Sequence, residues 1–129
     1  MSRKTILALA LACVTLAAVA VAIGQNVVLG KNGSAPQRVL LRAEAGKFNG
    51  ENPTFEVRRG VPVELTVRNE EPAGIPHDFA LVGLDVRTSK ALQPGESTTL
   101  RFTPSRSGEF AYTCTLHPGL MDGRMIVRP

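Results

Sequence analysis

A chain of 129 residues with 43% hydrophobic residues has length for one packed domain and not for two. Five Phe, one Tyr and no Trp suit a small β-sandwich. The formal charge of +4 overstates the folded part: of 15 basic residues, Arg3 and Lys4 lie in the N-terminal segment, which leaves 13 against 11 acidic ones. Those are interspersed, with no basic run beyond Arg58-Arg59, so a nucleic-acid partner is not expected.

Met1 to Lys4 form a short basic start, and Ile6 to Ile23 is an almost unbroken apolar run, which reads as an export or anchor helix over residues 1–24. Ala22 and Gly24 place small residues where a signal peptidase cuts, before Gln25. Yet the run is about 18 residues, close to the ~20 that span a bilayer, so a cleaved signal and an uncleaved anchor through residues 6–23 both stand. A lipid-modified Cys13 is a weaker third option, because the residues after it stay apolar. In each case the domain is expected outside the cytoplasm, in the periplasm or on the outer face of the membrane. Residues 25–37 read as a linker and 38–129 as the domain.

From Arg38 the pattern is strand and turn. Val39–Glu44 reads as a first strand, and Phe55–Arg58 and Val61–Arg68 alternate apolar and polar residues as half-buried strands do. Gly46–Pro53 is a loop of turn formers. Asp78–Val82, Thr98–Thr103, Glu109–Cys114 and Met125–Val127 complete six or seven short strands, with turns at Leu92–Glu96 and Pro104–Gly108. The expectation is an all-β, Greek-key antiparallel β-sandwich.

Chemistry concentrates in Tyr112–Met121. Cys114, His117 and Met121 are spaced C-x-x-H-x-x-x-M, and the only other histidine of the chain, His77, would complete two His, one Cys and one Met. Cys114 is the domain's single thiol, which in an exported protein is reactive, paired between chains or a metal ligand; the alternative is an inert buried residue. Thiolate and imidazole with a weak thioether suit copper cycling between Cu(I) and Cu(II). Zinc prefers four strong ligands, and Met is a poor fourth. A second methionine, Met125, begins the last strand and by register belongs to the core.

At these residues the chain resembles the cupredoxins, the small blue copper proteins of plastocyanin and amicyanin type. The resemblance covers about residues 38–129 and rests on Asn69 through His77-Asp-Phe, the Leu92-Gln-Pro-Gly-Glu96 turn and the C-terminal loop. It implies one copper ion on His77, Cys114, His117 and axial Met121. It implies a bond from the residue after the first His, here Asp78, to the one after Cys, here Thr115. Asp stands where Asn is more usual. Pro76, Pro118, Gly119 and Leu120 would then rim the edge of His117 where redox partners dock, or they only shape two tight turns. The three-residue gap between His117 and Met121 lies between the gaps of four and two common in the family.

The functions that follow are a monomeric one-electron carrier, or an extracytoplasmic copper-binding and delivery protein with no electron-transfer role. A catalytic copper enzyme is not expected, since two histidines do not furnish a further copper centre. The carrier's partner would be a redox protein.

Overall fold

The computed structural model describes residues 33–72 and 74–129. The apolar helix expected over residues 1–24 lies outside them. Among the described residues there is no helix, and so none long and apolar enough to cross a membrane. The strands are β1 (Gln37–Glu44), β2 (Lys47–Phe48), β3 (Thr54–Arg58), β4 (Val63–Asn69), β5 (Ala80–Leu81), β6 (Val86–Arg87), β7 (Ser97–Phe102), β8 (Gly108–Thr113) and β9 (Asp122–Arg128).

Two sheets face each other across the core, one ordered β2-β1-β4-β7 and the other β3-β9-β8-β5-β6. The all-β sandwich is as expected, but its sheets are mixed and not antiparallel throughout. β1 pairs parallel with β4, and β3 pairs parallel with β9. Alternation of apolar and polar residues fixes which face of a strand is buried and says nothing about the direction of its neighbour. Direction is set by the connections. Here β3 lies in the second sheet between β1 and β4 in sequence, so the chain re-enters the first sheet beside β1 running the same way. Strand β2 falls in the expected Gly46–Pro53 loop and β6 in a stretch assigned no strand, because two residues are too few to show a period.

The alternation also aims the site. In β8 Phe110 and Tyr112 point inward, and the same parity carries on to a fully buried Cys114. In β9 the buried parity of Met125 and Val127 runs back to Met121. His77 shares its inward parity with Phe79 and Leu81. Beneath these residues Tyr112 packs against Phe48, Phe55 and Phe79, with ring centroids 5.6, 5.7 and 5.5 Å away. Each such pair contributes about 0.5–1.5 kcal/mol beyond burial, so this cluster is the packing centre under the ligand-bearing end of the sandwich.

Candidate metal centre

Two segments converge at that end. The first, Asn69–His77, leaves β4 and is tied down by one buried side chain. The Asn69 amide donates to the carbonyls of Ile75 and Leu92, both at 2.8 Å, and its Oδ1 accepts the Glu71 N–H at 2.9 Å. Leu92 closes the segment from the other side: the His77 N–H donates to Leu92 O at 3.1 Å and the Leu92 N–H to His77 O at 2.7 Å. The Gln93-Pro-Gly-Glu96 turn presents Leu92, with Gly95 at φ 84° supplying the left-handed position that a Cβ would strain.

The second segment joins β8 to β9 through two successive turns. His117 N–H donates to Cys114 O at 3.1 Å, and Leu120 N–H to His117 O at 3.2 Å, while Cys114 N–H reaches Met121 O at 3.1 Å. Asp122 braces both ends, accepting from the Thr113 hydroxyl at 2.6 Å and from Gly119 N–H at 3.1 Å. The Asn52 amide, donating to Leu120 O at 2.8 Å, pins the tip from the β2–β3 loop.

His77, Cys114 and His117 present their donor atoms within 4.8 Å of one another. Cys114 Sγ lies 3.9 Å from His77 Nδ1 and 3.4 Å from His117 Nδ1. Metal–nitrogen and metal–sulfur bonds of about 2.0 and 2.3 Å at trigonal angles would set sulfur and nitrogen about 3.7 Å apart. The observed separations bracket that figure, so the three side chains fit a single copper ion. Met121 is fully buried in the same loop, and Met125, also buried, faces Phe110 and Phe55 across the strand ladders.

The site's electrostatics suit neutral imidazole and a thiolate made by the metal. Burial pushes the His77 pKa below its ordinary value, with the neighbouring His117 acting the same way and Glu71 opposing. Burial pushes the Cys114 thiol up, against N–H groups of Asp78 and Leu116 that favour the thiolate; a bound cation reverses that balance outright. The Asp78 N–H lies 3.4 Å from Cys114 Sγ. The Asp78 carboxylate accepts the Thr115 N–H at 2.6 Å and also the Thr115 hydroxyl, which ties the two segments together. His117 is half-buried; in the same two segments Leu116, Pro118, Leu120 and Ile75 are exposed, and Pro76 is partly buried.

In the sequence Glu71 looks like its exposed neighbour Glu70. It is buried, and its Oε2 lies 3.5 Å from His77 Nε2. The alternation of β4, continued two residues past Asn69, would have pointed it inward.

The family model of the cupredoxin-like domain matches residues 6–127. The chain belongs to the cupredoxin-like family. Among curated relatives, the copper-containing nitrite reductase of Alcaligenes xylosoxydans xylosoxydans is 38% identical over 78 residues, covering 56% of this chain and 24% of the relative. The chain thus spans about a quarter of the length of the curated relatives it matches. Among solved structures, the copper-containing nitrite reductase of Thermus scotoductus SA-01 superposes with a TM-score of 0.61 and 25% identity, covering 74% of this chain and 28% of that one. Auracyanin A of Chloroflexus aurantiacus, a "blue" copper protein, superposes with a TM-score of 0.63 and 17% identity, over 73% of this chain and 100% of that one. At that identity the likeness speaks to fold alone.

Proposed function

We propose that this cupredoxin-like chain is a mononuclear type 1 copper protein that carries one electron outside the cytoplasm. The observation that carries the reading is the convergence of one buried thiol and two imidazole Nδ1 atoms at one end of a rigid sandwich. His77, Cys114 and His117 would be the strong ligands, and Met121 a weak fourth. Bound there, copper supplies a one-electron couple between Cu(I) and Cu(II). The protein's part is to hold the donors still, so that little has to rearrange when the electron moves. Asp78 and Asn69 do this by joining the two segments to each other and to β4. The complete burial of Cys114 keeps water from the sulfur.

The half-buried ring of His117, with apolar Ile75, Pro76, Leu116, Pro118 and Leu120 about it, suits transient docking of a redox protein. The basic start and apolar run of residues 1–24 support export or anchoring. Both histidines of the chain lie at this one centre. That leaves no imidazole for a second copper, and it favours a carrier over a catalyst despite the partial likeness to nitrite reductases.

The test is the visible and electron paramagnetic resonance spectrum of the chain loaded with Cu(II). We expect an intense thiolate-to-copper band and narrow hyperfine splitting, both lost in Cys114→Ala. A pale, ordinary Cu(II) spectrum, or a Cys114→Ala variant of unchanged colour, would overturn the reading.

A further inference from the structure

Two adjacent glutamates leave the end of β4 in opposite directions. Glu70 turns outward between Arg42 and Arg68, at 3.6 and 3.4 Å. Glu71 turns inward, continuing the buried parity of Val67 and Asn69. Its N–H is held by Asn69 Oδ1 at 2.9 Å, and its Oε2 accepts the Gly46 N–H at 3.2 Å. The same oxygen lies 3.5 Å from His77 Nε2, a buried nitrogen with no aligned hydrogen-bond partner among the described residues. On the other side of that ring, Nδ1 faces Cys114 Sγ at 3.9 Å. The imidazole therefore stands between the metal donors and a buried carboxylate.

A neutral imidazole with Nδ1 free must carry its proton on Nε2, and a buried N–H left without an acceptor is costly. We propose that Glu71 is a positioning residue of the copper centre, taking the Nε2–H of His77 and so holding Nδ1 toward the metal. This rests on the copper reading above. Carboxylate behind histidine is a recurring way of orienting a ligand and raising its basicity. Here it also has a redox consequence. Copper(II) with one thiolate carries a net positive charge and copper(I) with the same thiolate carries none. A carboxylate one ring away therefore stabilises the oxidised form and lowers the potential. Asp78 differs in kind, because its carboxylate is engaged by Thr115 at a partly exposed position.

Glu71→Gln keeps an oxygen for the Gly46 N–H and nearly the same volume, and removes the charge. The copper-loaded variant and wild type would be compared by redox titration of the blue band. We expect Glu71→Gln to stay blue while its preference for Cu(II) over Cu(I) falls about tenfold, a rise of about 59 mV for one electron. An unchanged potential in a folded, blue Glu71→Gln would reduce Glu71 to an anchor of the Gly46 turn and overturn the proposal. Nitrogen-15 resonances of His77 in the wild-type Cu(I) protein test it without any variant. A slowly exchanging proton on Nε2 supports it, and a proton on Nδ1 or fast exchange at Nε2 overturns it. A wild-type chain with no thiolate band would overturn the copper reading itself, which separates that failure from this one.

Discussion

Cys114–Met121 carries three of the four proposed donors on eight residues, and its shape comes mainly from within, through two consecutive turns and the brace of Asp122. Asn69–His77 carries one donor on nine residues, and its shape hangs on the side chain at its head, Asn69, and on the remote Leu92. The difference separates two kinds of fragility. The C-terminal segment is set by its root in the β8–β9 ladder, so damage there should disturb every donor at once. The N-terminal segment hangs from one buried amide, so damage there should free a single imidazole and leave the thiolate in place.

The largest effect is expected at the root of the C-terminal segment. Gly123 pairs with Tyr112 across β8 and β9, and a Cβ at 123 would run into the phenol ring. The ring cannot yield easily, being stacked on Phe55 and Phe79 and met edge-on by Phe48. Gly123→Ala should therefore cost about 3 kcal/mol by overpacking, read from denaturant unfolding of the metal-free chain, and should weaken the thiolate band as well. An unchanged unfolding midpoint would mean that this root is softer than the packing indicates. Next comes Asn69→Ala, which leaves the Glu71 N–H and the Ile75 carbonyl without their partner. The expected loss is about 2 kcal/mol, with a copper spectrum that retains the sulfur band but has broader hyperfine splitting as His77 loosens. Loss of the band altogether would merge the two segments into one cooperative unit and remove the distinction.

The two segments were not equally legible. Cys114, His117 and Met121 stand close together in the sequence, and their donor chemistry announces itself at that spacing. His77 could be joined to them only because no other histidine exists. The alternation of Val61–Arg68 was readable, and Val63, Leu65 and Val67 are buried as it implies. The parallel pairings of β1 with β4 and β3 with β9 were not, since they depend on where the chain crosses between sheets. Glu71 was hidden for a related reason. An acid in a polar loop looks solvated until the sheet that it leaves is known to continue its parity beyond the last ladder bond.

The smallest of these effects lies in the hydroxyl of Tyr112, and it tests whether the root acts through packing or through its hydrogen bond. The phenol donates to Pro53 O at 2.6 Å, fastening β8 to the loop whose Asn52 pins Leu120. Tyr112→Phe keeps the ring and deletes that bond, for a loss of about 1 kcal/mol, measured as before. A second signature comes from pH. Burial, aided by Glu51, raises the Tyr112 pKa well above its ordinary value of 10.0. Above that ordinary value the unfolded chain releases a proton that the folded chain keeps, so folding stability falls as pH rises past it. Tyr112→Phe lacks the proton and should lose this part of the alkaline decline, bringing its stability closer to that of wild type as pH increases. A gap between the two that stays constant through that range would place the tyrosine hydroxyl in water and leave the root held by ring packing alone.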